Sequence, residues 1–444
     1  MHPVLASLLG TLRLYPSPRE YVVAYSGGCD SHVLLHALVQ IREQLDCQSI
    51  KAVYIEHGLQ EQAADWAQHC QHVCQHYDVA FTAVKLKLQI PKGESIEAYA
   101  RTARYAALEN QLGTDGMLLL AQHQDDQAET MLLQLLRGSG VKGLAAMPEI
   151  IRIKDYWQAR PLLGLTQSDI QSYAAASKLK WIDDPSNQDS RFDRNFLRNQ
   201  VVPILKQRWP SLSETMSRAS QHQADANRLL DDLAELDWQA CRLHEQTLLA
   251  IRPLKNLGPS RQRNLLRYWI AAQCQFPLPD SVQCQRIIDE ILFAAEDAEP
   301  VVSWADVIVR RYRETLYLER MQCGQRGVST PWQQSWDLRS PLTLPTGQQL
   351  IAQQKKGQGM VLPDVSPSLT VRFRLGGEKC RLPGRQHRHE LKKLLQGWGV
   401  PPWQRDTIPL IYIGDELAQV VGYSVCEPFL AQNGQMGFDI SLAQ

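Results

Sequence analysis

The run at residues 21–38, YVVAYSGGCDSHVLLHAL, constrains the fold more than any other part of the chain. An apolar stretch of strand length breaks at SGGCDS and resumes with the Leu, Val and Ala content of a helix. This predicts a strand over 21–25 and a helix over 32–40. Such a turn aims backbone N–H groups and the positive end of a helix dipole beyond the carboxyl end of the strand, where an anion fits. Gly27 and Gly28 permit positive φ and close backbone approach, and Ser26 and Ser31 add hydroxyl donors. A bare Gly-Gly turn capped by Asp30 or Ser31 would need no ligand. Neither the GxxxxGK[ST] nor the GxGxxG spacing is present at this turn, so it is neither of those two common nucleotide loops.

From residue 21 to about 163, strand-like runs alternate with helical ones: YVVAY, SIKAVYI, AFTAVKLKL, GMLLLAQ and DYWQARPLL are the expected strands. That rhythm predicts an α/β domain with a parallel sheet, helices on both faces and ligands beyond the carboxyl ends of the strands. After Pro210 the character turns to long helical segments, closed by the strand-like VIVRRYRETLYLER. Residues 321–336 read as a linker. Short strand-like runs with Pro and Gly turns then predict a small α+β module. The expected domains are 1–215, a mainly helical 216–330, and 336–444.

Length supports two or three domains among 444 residues. Lys plus Arg and Asp plus Glu both number 47, so a nucleic-acid partner must be held by local basic patches. The N-terminus has no signal-peptide pattern and no apolar run reaches membrane-spanning length, which predicts a cytoplasmic protein with no membrane partner. Ten scattered cysteines without CxxC spacing predict reduced thiols. The cluster His69, Cys70, His72, Cys74 and His76 reads as an ordinary helix, since structural zinc draws its ligands from separate short loops.

Three further stretches carry chemistry. QHQDDQAET places Asp125, Asp126 and Glu129 at a helix start, where acidic residues favour the dipole in any case. Asp126 and Glu129, three apart, share a face, and beside an anion loop such a pair can hold an ammonium or a metal. In DPSNQDSRFDRNFLRNQVVP, residues 184–203, Arg191, Arg194 and Arg198 lie three and four apart. They form a basic helical stripe suited to RNA phosphate or a base edge. Residues 371–406 hold six Arg and three Lys against two Glu and one Asp, interleaved with Phe373, Trp398 and Trp403, a footprint for RNA contact.

SGGCDS resembles SGGxDS, the fingerprint of the N-type ATP pyrophosphatases or PP-loop enzymes. QHQDDQAET followed by Arg137, Gly138, Gly140, Gly143 and Leu144 is similar to the HHxDDQAET and RGxGxxGL runs of the tRNA(Ile)-lysidine synthetases. Gln122 stands where many members carry the first His, and His123 is retained. Glu97, Arg101, Arg104 and Tyr105 fit that family's EaxARxxRY helix, and residues 184–203 its DxSN…RNxxR segment. RLGGE, LKKLLQ and PPWQRD resemble marks of the C-terminal domain of its longer members.

This resemblance implies a PP-loop fold of the adenine nucleotide alpha hydrolase type, with ATP and Mg²⁺ as cofactors. The partners implied are the isoleucine tRNA with a CAU anticodon and free L-lysine; a homodimer is compatible with the sequence, which does not specify oligomeric state. The implied reaction joins lysine to C2 of the wobble cytidine through an adenylated intermediate, with release of pyrophosphate and AMP. Ser26, Gly27, Gly28, Cys29, Asp30 and Ser31 would bind ATP. Asp30, Asp126 and Glu129 would be catalytic, and Asp126, Glu129, His123 and Arg104 would bind lysine. Arg191, Arg194, Arg198, Arg385, Arg388 and Lys392 would contact tRNA. No protein metal site is expected beyond Mg²⁺ arriving with ATP, for which Asp30 is the candidate contact. A PP-loop tRNA thiolase would share the ATP loop, but thiolases usually show paired cysteines, absent here.

Overall fold

The computed structural model describes residues 1–15, 18–45, 49–56, 63–86, 88, 96–244, 247–273, 276–295, 298–321, 332–363 and 369–443, and the side chains of 63 and 96–98 are not described. Most of the expected linker and the Glu97 side chain therefore lie outside the described residues. Two compact units emerge, Met1–Glu235 and Leu236–Gln444, divided within a helix that runs Leu212–Cys241.

In the first unit the chain runs α1 (Pro3–Arg13), β1 (Glu20–Ala24), α2 (Cys29–Gln40), β2 (Ser49–Glu56), α3 (Ala63–His76), β3 (Ala80–Lys85), α4 (Ile96–Glu109), β4 (Met117–Leu119) and α5 (Gln124–Leu136). There follow α6 (Val141–Leu144), β5 (Ile150–Ile153), β6 (Tyr156–Ala159), α7 (Gln167–Ala176), α8 (Asp193–Phe196), a π-helical turn Leu197–Val201, α9 (Val202–Arg208) and α10 (Leu212–Cys241). The six strands lie in the order β3-β2-β1-β4-β6-β5. After Glu20, β1 is apolar because both its faces are covered: Val23 packs with Leu34 and Leu119, and Val22 on the opposite face with Leu118 and Leu108.

Pairing is parallel from β3 to β6, as expected for the α/β rhythm. The expected strand over DYWQARPLL is only Tyr156–Ala159, and an antiparallel β5 joins it through a turn in which Lys154 takes a positive φ of 49°. The chain runs from β1 outward through β2 and β3, then returns to place β4 on the other side of β1. That reversal opens a crevice beyond the carboxyl ends of β1 and β4, the place where open α/β sheets bind ligands. SGGCDS follows β1, and QHQDD follows β4.

The second unit keeps the expected helical middle and adds short strands to it. β7 (Leu248–Ala250), α11 (Ile251–Lys255), α12 (Pro259–Ala272), α13 (Ser281–Arg286), a π-helical stretch Ile287–Leu292, β8 (Val301–Trp304), β9 (Val307–Tyr312) and β10 (Thr315–Arg320) occupy the region read as mainly helical. The single strand-like run is an antiparallel hairpin, β9 with β10, and it recruits β7 and β8 into a four-stranded sheet. β7 and β8 are three and four residues long, too short to show a period of two in the sequence.

The C-terminal part comprises β11 (Gln333–Trp336), β12 (Leu342–Thr343), β13 (Gln349–Lys356), β14 (Leu369–Arg372), β15 (Lys379–Cys380), β16 (His389–Glu390), α14 (Leu391–Gly397), β17 (Leu410–Ile413), β18 (Glu416–Val420), β19 (Ser424–Val425) and β20 (Met436–Ala443), in three sheets. Here the expectation of reduced thiols fails: Cys380 and Cys426 form a disulfide. Forty-six residues separate them, so pairing depends on tertiary proximity that no spacing rule reveals.

Candidate active site

Tyr25 closes the parallel ladder by donating its N–H to the Val53 carbonyl at 2.9 Å, and the chain then turns. Gly27 has φ +81°, and its carbonyl accepts from the Ile182 N–H at 2.9 Å. A Cβ there would lie 2.7 Å from Ile182 Cδ1 and 2.9 Å from Cys70 Sγ, so both conformation and space demand glycine. Gly28 occupies the N-cap of α2 and supplies no side-chain acceptor, which leaves first-turn N–H groups of a 12-residue helix for an external anion. The two serines brace the turn: Ser31 Oγ donates to the Gly28 carbonyl at 3.0 Å and accepts from the Ser26 N–H at 3.2 Å. Burial and the neighbouring Asp30 push the Cys29 thiol up to about 11, so it is no activated nucleophile.

Across the crevice, His123 caps α5. Its Nδ1 accepts from the Asp125 N–H at 3.3 Å, while its own N–H donates to Asp126 Oδ2 at 3.0 Å, a reciprocal capping box. With Nδ1 accepting in the cap, the neutral ring carries its hydrogen on Nε2, which faces two carboxylates, Asp30 Oδ2 at 3.6 Å and Asp126 Oδ2 at 3.4 Å. Burial opposes charge on this ring, but the Asp30 contact and the Asp126 charge outweigh it and raise its pKa above the ordinary histidine value. Asp30 Oδ1 accepts from Gln167 Nε2 at 3.1 Å. The loop after β1 and the helix after β4 are thus joined through Asp30, His123 and Asp126.

The expected arginine stripe is not a stripe. α8 begins at Asp193, which leaves Arg191 before the helix, exposed and chelated by Asp189 at 2.7–3.1 Å. Arg194 and Arg198 turn inward onto Asp126 and Glu129. Arg194 reaches Glu129 Oε2 and Asp126 Oδ1, both at 3.0 Å. Arg198 reaches Glu129 Oε1 at 2.6 Å, Glu129 Oε2 at 2.9 Å and Asp126 Oδ1 at 2.7 Å. Glu129 is 2% exposed, a burial that a carboxylate tolerates only when paired. Although burial itself works the other way, His123, Arg194 and Arg198 hold the Asp126 carboxyl below its usual range. The π-helical turn that carries Arg198 lies in this same segment.

A second basic group has the opposite character. Arg104 and Arg101 stack over Tyr105, at 5.5 and 5.2 Å from the ring centroid. Arg160, 5% exposed, donates to Gln122 Oε1 at 2.6 Å and to the Pro148 carbonyl at 2.7 Å. Among the described residues, none of these three arginines has an ion pair. Burial lowers the pKa of Arg104 and Arg160, as cations without counter-ions require. Gln122, at the position that departs from the motif, is thereby the neutral acceptor for a buried guanidinium. Arg160 and Gln167 were not singled out in the sequence; both follow β6, and only the sheet order brings that strand beside β4.

The C-terminal basic residues lie in the other unit. Arg385 is exposed with the His389 ring 3.5 Å away, Arg388 pairs with Glu416 at 2.5 Å, and Lys392 is exposed on α14. Trp403 is not an open stacking platform. Its N–H donates to Glu319 at 2.7 Å, its ring meets Tyr317 and Tyr312 edge-on, and Arg310 lies 5.0 Å from its centroid. Trp398 stacks on Tyr423 at 5.3 Å.

No helix among the described residues is long and apolar enough to cross a membrane. Residues 5–205 match a PP-loop domain, 249–317 the TilS substrate binding domain and 369–442 the TilS substrate C-terminal domain. The tRNA(Ile)-lysidine synthase of Coxiella burnetii is 43% identical over 98% of this chain and 96% of its own. That of Pectobacterium atrosepticum is 40% identical over 94% and 91%. The U34-tRNA thiolase NcsA from Methanococcus maripaludis, solved with its [4Fe-4S] cluster, is 16% identical with a TM-score of 0.42, covering 49% of this chain and 77% of that one.

Proposed function

The chain belongs to the tRNA(Ile)-lysidine synthase family, and from that premise we propose that it joins free lysine to C2 of the wobble cytidine of the CAU-anticodon isoleucine tRNA, at the expense of ATP. The observation that carries this reading is the junction of an anion loop with a carboxylate cluster through Asp30, His123 and Asp126. The N–H groups at the start of α2 receive the triphosphate. Asp30, 37% exposed at the mouth of the loop, suits Mg²⁺, which is commonly held by one or two carboxylates and the substrate phosphates. When bound, that ion neutralises charge on the departing pyrophosphate.

The cytidine C2 carbonyl oxygen attacks the α-phosphate and expels pyrophosphate, which converts a poor leaving group into a good one. The ε-amine of lysine then attacks C2 and AMP departs. Asp126 and Glu129 supply negative charge for the ammonium, and Arg104 and Arg160, which have no ion pair among the described residues, suit the lysine α-carboxylate. The ammonium must lose a proton before it attacks, and Asp30 is the open carboxylate nearest the loop to receive it. Asp126, with its lowered pKa, stays ionised as a fixed charge. In this reading Arg385, Arg388 and Lys392 contact the tRNA.

AMP release from ATP in the presence of tRNA, with and without lysine, tests the reaction. Lysine-dependent AMP release is expected, and sulfur transfer to the RNA with no use of lysine would favour the thiolase reading instead.

A further inference from the structure

The Asp126–Glu129 pair has no oxygen to spare. Asp126 Oδ1 accepts from both Arg194 and Arg198, and Oδ2 accepts from the His123 N–H. Glu129 Oε1 accepts from Arg198, and Oε2 from Arg194 and Arg198. Two carboxylates and two guanidiniums neutralise one another, so an arriving lysine ammonium finds no net charge and would have to displace a bidentate arginine.

The same helix grips the same segment at a further point. Asp125, beside Asp126 on α5, accepts from Lys206 Nζ of α9 at 2.6 Å and from Ser213 Oγ of α10. Asp125 is half-buried, and although burial acts against it, the Lys206 and Ser213 contacts hold its carboxyl below the usual range. Arg194, Arg198, Lys206 and Ser213 follow one another within twenty residues, and three successive acidic residues of α5 hold all four. Among the described residues the Asp125 carboxylate makes no hydrogen bond to the anion loop or to the two-carboxylate pair, although the Asp125 N–H donates to the His123 ring.

Resting on the reading that Asp126 and Glu129 receive lysine, we propose that Asp125 is a positioning residue. Through Lys206 and Ser213 it holds the 194–213 segment so that Arg194 and Arg198 cover the pair, and lysine gains access when RNA phosphate draws those arginines away. Phosphate fits the role because it offers a guanidinium the same bidentate geometry as a carboxylate. RNA and lysine then bind cooperatively, and by linkage each tightens the other by one factor.

Calorimetric titration of L-lysine into the full chain without ATP tests this. For the wild type we expect lysine to bind roughly tenfold more tightly with a tRNA(Ile) transcript present, within the usual range of coupling between sites. Asp125→Asn should strengthen lysine binding to the RNA-free protein by about fivefold and shrink the RNA effect by the same factor, with ATP affinity unchanged. A merely structural role would leave lysine affinity unchanged or weaken it. Lys206→Met cuts the same contact from the other side and serves if Asp125→Asn does not fold. Equal lysine affinity with and without RNA in the wild type overturns the proposal, as does unchanged or weaker lysine binding in a folded variant. If the wild type then still releases AMP in a lysine-dependent manner, the reaction stands and only the cover falls. If it never does so, both fall.

Discussion

Arg198 and Arg388 are the same side chain in two basic stretches of similar appearance, yet they occupy opposite physical regimes. Arg198 makes three hydrogen bonds to two carboxylates, one of which is 2% exposed. Arg388 makes one contact to Glu416, and both side chains are about half exposed or more. Low dielectric around Glu129 makes its partner obligatory, whereas water competes for Glu416. Spacing of basic residues therefore says that cations are present; the burial of what they meet decides whether they build a site or a solvated surface.

The largest effect is expected on the anion loop, which meets that cluster through Asp30. Asp30→Ala should leave the fold intact, since Asp30 is itself 37% exposed and its side-chain contacts are only His123 and Gln167, and should slow tRNA-dependent pyrophosphate release by on the order of 10²-fold, the scale for removing one charge-stabilising group. Wild-type release in this variant would detach the loop carboxylate from the reaction.

Between the two arginines, Arg198→Ala should cost about 2 kcal/mol in a urea titration, less than the full loss of a buried pair because Arg198 is 40% exposed. Arg388→Ala should cost roughly 0–1 kcal/mol in the same titration. Equal losses for both would mean that burial of the carboxylate partner does not set the strength of these pairs.

Reversing Arg385, Arg388 and Lys392 together to Glu sharpens the comparison from the other side. Stability should hold while tRNA affinity falls about tenfold at low salt, with the deficit shrinking as salt rises. An unchanged affinity and salt slope would leave those residues as solvated surface alone.

The smallest effect is on acid stability. Asp125 and Asp126 have folded pKa values below their unfolded ones, so their contribution is complete above roughly pH 4 and is lost as pH falls through the lowered values. Stability measured from pH 5 downward should fall less steeply for Asp125→Asn than for the wild type, and identical profiles would count against the lowered value.

What the sequence determined by itself is local. β1, the glycine turn and α2 could be read because a buried strand, a positive φ at Gly27 and an N-cap without a side chain are imposed within ten residues. The same holds for His123, Asp126 and Glu129, whose spacing places them on one helix end. The short strands β5, β7 and β8 carry too few residues for a period to show, so their pairing depends on neighbours. What only the tertiary structure decided is which charges meet. Arg194 and Arg198 lie more than sixty residues from their carboxylates, Lys206 lies eighty-one from Asp125, and Cys380 lies forty-six from Cys426. Such contacts follow from sheet order and helix packing, and burial then turns them from optional surface pairs into required ones, because a buried charge without its partner is too costly to keep.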